Sequence, residues 1–190
     1  MNPFGWFYNH KKKLVIGLTG TNASGKGEVA NYLKKKHFTY HSLSDIIRES
    51  AEKSGMEPTR ENLIYLGNEL RKRYGPAVLA RKVKKNLTRR DIVDSIRNIA
   101  EIKELRKLPN FVLLGIDAPV SLRFKRSLKR KRAGDDKSLR EFILKENRER
   151  STFRTHQQLE LCLKKADKKL INNGSIKELQ KKVERTLKSI

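Results

Sequence analysis

The chain has 190 residues, 36% hydrophobic and 35% charged, enough apolar material for one core beneath a heavily charged surface. Forty-five Lys and Arg stand against 21 acidic residues, and this formal charge of +24 would draw any polyanion, RNA included, with strong dependence on salt. One cysteine, Cys162, excludes an internal disulfide framework and suits a reducing, cytoplasmic setting; no apolar run reaches transmembrane length and no signal-peptide pattern appears, so no membrane attachment is expected.

Residues 1–13 form an aromatic and basic arm (Phe4, Trp6, Phe7, Tyr8) whose role is open, and residues 14–190 read as a single domain. Leu14-Val-Ile-Gly-Leu-Thr19 predicts a buried strand running into the glycine-rich segment Gly20-Thr-Asn-Ala-Ser-Gly25-Lys26-Gly27. A helix-forming stretch with Glu28, Val29 and Leu33 follows. Strand, loop and helix in that order make a phosphate cradle, because backbone N–H groups and the helix N-terminus converge on an anion. The residues expected around a nucleotide are Gly20, Asn22, Ala23, Ser24, Gly25, Gly27 and Glu28, with Lys26 supplying a point charge. Gly27 stands where Ser or Thr would ordinarily ligate Mg²⁺.

Further along, His37-Phe-Thr-Tyr-His-Ser-Leu43 predicts a second strand. A helical region then runs from Ser44 to about Leu87, broken at Gly55-Met-Glu-Pro58 and Gly75-Pro76. Thr59 marks a helix start, with Leu63, Leu66 and Leu70 at helical spacing. Asp91-Ile-Val-Asp94 predicts a third strand, Ile96 to Leu108 a helix, and Phe111-Val-Leu-Leu-Gly-Ile-Asp117 a fourth strand closed by Ala118-Pro119. A basic helix, a polar loop at Gly134-Asp-Asp136 and a helix from Ser138 to about Arg150 come next. Leu159-Glu-Leu-Cys-Leu163 places Cys162 as a buried core thiol. Lys168-Lys-Leu-Ile-Asn172 predicts the last strand, and Ser175 caps a C-terminal amphipathic helix. His37 and His41, four apart on a strand and roughly 13 Å from each other at ~3.3 Å per residue, are poor joint metal ligands, and His156 is isolated.

Strands alternating with helices imply an α/β fold: a parallel sheet of about five strands with helices on both faces and ligands at the carboxyl ends of the strands. The residues just past those ends are Asp45 and Arg48, Asp94 and Arg97, and Asp117. Guanidiniums clamp phosphate bidentately and an Asp can hold hydrated Mg²⁺. Phosphoryl transfer asks mainly for positioning and charge, so no nucleophilic side chain is needed.

With these residues in view, the chain resembles the adenylate-kinase and dephospho-CoA-kinase group of small P-loop kinases, in an archaeal-type branch, from Leu14 onward. Adenylate kinases also carry the Gly25-Lys26-Gly27 pattern and hold Mg²⁺ largely through water, although Glu28 stands where Thr is usual. Ser44-Asp45-Ile-Ile-Arg48 resembles the segment opening the acceptor helices, whose Arg grips a monophosphate. Asp94-Ser-Ile-Arg97 resembles a turn whose Asp serves the metal shell through water and whose Arg serves the phosphates. Asp117-Ala-Pro119 with Arg126 and Arg130 resembles the lid entry on the donor side, with Arg148 and Arg150 as further clamps. Residues 166–175, including Asn173 and Gly174, resemble the strand and turn that brush the donor base. The resemblance implies a helical acceptor-binding insertion at residues 46–90, a small lid at 126–150, and ATP with Mg²⁺ as cofactors.

The expected activity is transfer of the γ-phosphoryl of ATP to a small-molecule acceptor, a nucleoside or deoxynucleoside monophosphate or dephospho-CoA. The residues expected to carry it are Lys26, Arg48, Asp94, Arg97, Arg126 and Arg130. The alternative is a non-catalytic nucleotide-binding module contacting RNA or a larger assembly, favoured by the +24 charge. Acceptor identity and oligomeric state are not legible in the sequence.

Overall fold

A computed structural model describes residues 13–130 and 137–190. The aromatic part of the arm and the loop containing Gly134, Asp135 and Asp136 lie outside the described residues. Five strands, β1 (Leu14–Gly20), β2 (Thr39–Ser42), β3 (Arg90–Asp94), β4 (Phe111–Asp117) and β5 (Lys168–Ile171), form one sheet in the order β2-β3-β1-β4-β5, every neighbouring pair parallel. Nine helices are described: α1 (Lys26–Lys35), α2 (Leu43–Lys53), α3 (Arg60–Tyr74), α4 (Val78–Lys84), α5 (Ile99–Leu105), α6 (Val120–Arg130), α7 (Leu139–Arg148), α8 (Leu159–Lys164) and α9 (Ile176–Lys188).

The near-continuous apolar runs of β1, β3 and β4 are those of strands covered on both faces. Successive side chains alternate between the faces. Val15, Val93 and Leu113 therefore join Leu43, Leu79, Ile102 and Cys162 in one core, while Ile16, Leu18, Ile92, Leu114 and Ile116 meet Val29, Leu33, Leu179 and Val183 in the other. Helix α1, leaving β1, thus packs on one face, and α5, following the neighbouring β3, packs on the opposite face. The crevice between the carboxyl ends of β1 and β3 is the switch point at which such sheets bind ligands.

Local signals explain most boundaries. Thr59 caps α3 through Asn62 N–H, and Ser138 caps α7 through Glu141 N–H. Ser175 with Glu178 forms a capping box that starts α9. The helix expected from Ile96 begins only at Ile99, because Ser95 takes a positive φ of 64° and Asn98 with Glu101 forms its own capping box. The second strand likewise starts at Thr39, after a turn in which His37 adopts φ 63°, so His37 is not a strand residue. Helix α8 has no counterpart among the predicted elements; its sequence, Leu-Glu-Leu-Cys-Leu-Lys, is too short to show a helical period.

Candidate active site

The loop after β1 is shaped by two glycines. A Cβ at Gly20 would lie 2.0 Å from the Ile116 carbonyl oxygen, and Gly25 caps α1 in the left-handed region (φ 105°) with Asn172 Nδ2 only 2.2 Å from the place of a Cβ. The sheet fixes the loop from several sides. Thr21 donates its hydroxyl to Asp117 Oδ1 at 2.7 Å, and the buried Asn172, just past β5, donates its side-chain amide to the Ser24 carbonyl at 2.8 Å. Arg123, buried in α6, donates to Ala118 O and pairs doubly with Glu146 of α7, at 2.5 and 3.0 Å. This pair joins α6 to α7, with Phe142 and Phe124 packed edge to face beside it at 5.9 Å.

Lys26 reaches back over the loop and donates to the carbonyls of Gly20 (2.7 Å) and Thr21 (2.9 Å). Desolvation pulls its ammonium down to about 8, against the raising influence of Asp94. Gly27 faces open space, with nothing within 4 Å of a Cβ placed there.

Across the crevice, Asp94 closes β3. Its Oδ1 accepts from Ser95 N–H at 2.5 Å and its Oδ2 from the Tyr40 hydroxyl at 2.9 Å. Burial, reinforced by the Asp94 carboxylate, pushes the Tyr40 phenol well above its ordinary range, so Tyr40 remains a donor. The turn after Asp94 is tied to β1: Ile96 N–H donates to Leu18 O and Thr19 Oγ1 to Ile96 O. This places Arg97, which donates to Glu149 Oε2 at 3.1 Å and to Gln157 Oε1 at 3.0 Å. Glu149, 1% exposed, also accepts from Arg60 at 2.8 and 3.0 Å. Desolvation would raise Glu149, but Arg97, Arg60 and Lys26 outweigh it and hold the carboxyl below its usual range. Arg48, in the first turns of α2, donates to Ser44 Oγ and to Asp45 Oδ1.

One cleft of about 1010 Å³ is lined by the loop residues 22–28 together with Asp94, Arg48, Arg97, Arg126, Arg130, Lys129 and Gly174. It therefore gathers Asn22, Ala23, Ser24, Gly25, Lys26, Gly27 and Glu28 with four of the six arginines singled out in the sequence, Arg48, Arg97, Arg126 and Arg130. Arg126 lies against Asn172 Oδ1 and Arg130 against Asn22 Oδ1, each at 3.4 Å. Two buried polar atoms along this wall, Ser24 Oγ and Arg126 Nη1, have no hydrogen-bond partner among the described residues.

Two of the expected residues stand elsewhere. Gly20 turns its carbonyl to Lys26 at the base of the loop and does not line the cleft. Asn173 is exposed, its Oδ1 facing Lys182 of α9 at 3.4 Å, and the cleft is lined instead by its neighbour Asn172. Of the further lid arginines, Arg150 lies 3.6 Å from Glu146, and the Arg148 side chain is outside the described residues. Tyr40, Ser44, Arg60, Glu149 and Asn172 were not legible as site residues. Tyr40 and Ser44 flank Ser42 near the end of β2, a signal that strand-end position carries, whereas Arg60 and Glu149 meet across 89 positions and leave none in the sequence.

Among the described residues, no cluster of three His, Cys, Asp or Glu is arranged to hold a metal, and no helix is long and apolar enough to cross a membrane. Asp94, Asp45 and Glu28 line the same cleft as Gly27. That donor set fits a hydrated divalent cation carried on phosphates, not one caged by protein.

A β-strand feeding a glycine loop and helix at the switch point of a β2-β3-β1-β4-β5 parallel sheet is the arrangement of a P-loop protein. The AAA domain family model matches residues 19–143, from the end of β1 into α7. The chain belongs to the UPF0200 family. It is 33% identical over 186 residues to a UPF0200 protein of Pyrococcus horikoshii, covering 93% of this chain and 97% of that protein. It is also 33% identical over 178 residues to one of Sulfurisphaera tokodaii, with the same coverage. Among solved structures, TT1252 of Thermus thermophilus superposes with a TM-score of 0.61 at 22% identity, covering 95% of this chain and 99% of that one. Shikimate kinase of Acinetobacter baumannii, in complex with shikimate, gives 0.59 at 13% identity, covering 94% and 95%. These likenesses show the fold.

Proposed function

We propose that this chain is an ATP-dependent phosphotransferase whose acceptor is itself phosphorylated, a nucleoside or deoxynucleoside monophosphate foremost and dephospho-CoA second. The observation that carries this reading is the convergence of Lys26 and the loop with Arg48, Arg97, Arg126 and Arg130 on one cleft. Lys26 and the loop amides take the donor phosphates, and Arg126 and Arg130 flank them from α6. Arg48 and Arg97 enter from the β2 and β3 ends and take the acceptor phosphate. With a nucleoside monophosphate, an oxygen of that phosphate attacks the γ-phosphorus, the bond to the β-phosphate oxygen breaks, and ADP leaves; this oxygen is already anionic, so no general base is required. With dephospho-CoA the attacking oxygen would be the ribose hydroxyl, whose proton would have to pass to a base. Closure of the segment around α6 and α7 would exclude water from the transfer. Mg²⁺, bound with ATP and held through water by Asp94, would neutralise charge on the transferring phosphates. A cytoplasmic setting belongs to the same reading, supported by the buried thiol Cys162.

The shikimate kinase likeness, at 13% identity, carries no acceptor to this chain. The +24 charge favours a second reading, a nucleotide-binding module that contacts RNA. Transfer of labelled γ-phosphoryl from ATP into a panel of monophosphates separates the two. Labelled diphosphate product supports the kinase; tight ATP binding without product, together with salt-sensitive RNA binding, supports the module.

A further inference from the structure

Beside the main cleft lies a second, smaller cavity of about 160 Å³, and the two share Arg48 and Arg97 as walls. Ile47 of α2 and Leu63 and Ile64 of α3 supply its apolar wall, and Arg60, Arg130 and Gln157 also line it. Arg71, two turns further along α3, also lines it. This arginine is 1% exposed, and its Nε and Nη2 both engage Glu101 Oε1, at 3.0 and 2.9 Å, while its Nη1 has no hydrogen-bond partner among the described residues. Glu101 is itself fully buried and spends its other oxygen on the N–H groups of Arg97 and Asn98. The Arg71 guanidinium is therefore fixed in orientation and neutralised in charge, with the Nη1 amino group left over. A buried donor without a partner is costly, and one lining a cavity next to a phosphate subsite is suited to reading a ligand oxygen.

Resting on the phosphotransfer reading above, we propose that this cavity seats the base of a nucleoside monophosphate whose phosphate lies on Arg48 and Arg97, and that Arg71 Nη1 donates to an oxo group on that base. The volume amounts to about five waters at ~30 Å³ each, room for one planar ring system and not for a long flexible arm such as that of dephospho-CoA. Because Glu101 already balances the guanidinium, the group it reads is a neutral carbonyl oxygen and not a second anion. Monophosphates with an oxo group on the base (CMP, UMP, dTMP, GMP) are thus preferred to AMP, which has none.

The test measures both turnover and calorimetric binding for these five monophosphates and dephospho-CoA, in the wild type and in Arg71→Lys, which keeps a charge for Glu101 but not the fork. The expected result is an oxo-base preference over AMP of about tenfold or more in acceptor KM, lost in Arg71→Lys while ATP binding holds. Ile64→Phe, which fills the cavity and leaves Arg71 in place, should weaken every monophosphate without weakening ATP. Equal or better use of AMP or dephospho-CoA, or a uniform loss across acceptors in Arg71→Lys, overturns the inference. Base-selective binding with no turnover upholds the cavity and overturns phosphotransfer. Absence of binding by any monophosphate overturns both.

Discussion

Arg97 holds the buried carboxylate of Glu149 at 3.1 Å, joining the turn that follows β3 to the end of α7. Arg60 meets the same carboxylate from α3, so one acid secures three parts of the cleft wall. Replacing Glu149 by Gln leaves two guanidiniums without their counter-charge, and a loss of about 3 kcal/mol of unfolding free energy is expected in denaturant titration. The pH dependence follows from the depressed carboxyl. Its contribution is complete above the ordinary glutamate range near 4.5 and disappears as pH falls through the lower folded value. The wild type should therefore lose stability more steeply in acid than Glu149→Gln.

Lys26, drawn down to about 8 by desolvation, gains a partner when a polyphosphate enters the loop. Its ammonium form is then favoured, so nucleotide binding takes up a proton once the pH exceeds that value. Calorimetry just above pH 8, in two buffers of different ionisation heat, should show net proton uptake, and affinity should decline as pH rises further. In the free protein the slope has the same sign as that of Glu149, in a higher pH window. Between about 8 and the ordinary lysine value of 10.5 the unfolded chain binds more protons, so stability from this group increases with pH.

Adjacent asparagines should behave differently. Asn172→Ala removes the donor to Ser24 O and leaves that carbonyl without this bond. A cost of about 1–3 kcal/mol and a rise in ATP KM of about tenfold are expected. Asn173→Ala removes only an exposed contact with Lys182, so its ATP KM should match the wild type. Steady-state kinetics on the two variants check both statements.

Arg123 and Glu146 form a buried, doubly bonded pair between α6 and α7. Arg123→Met should destabilise by about 3–5 kcal/mol because Glu146 is left charged and buried. The double variant Arg123→Met, Glu146→Met should recover much of that loss. A double-mutant cycle by thermal unfolding measures the coupling.

The β1-loop-α1 unit was legible because apolar run, glycines and lysine are contiguous, and so were the strand ends carrying Asp94 and Arg97. What binds those parts together was not. Glu149, Arg60 and Arg123 are charges in a chain rich in charge, and only the fold shows them buried against one another. The displacement from Asn173 to Asn172 has a simple cause: side chains alternate along a strand, so a one-residue error at the end of β5 exchanges the inward residue for the outward one. Helix α8 was hidden by its length, six residues that satisfy a buried strand as well as a helix.

The central claim is that the loop around Lys26 and the arginines facing it transfer a phosphoryl group. ADP release from ATP with and without a nucleoside monophosphate, in the wild type and in Lys26→Ala, tests it most directly. The account predicts acceptor-dependent release that Lys26→Ala abolishes while the protein stays folded. Release independent of acceptor, or undiminished in Lys26→Ala, would contradict it.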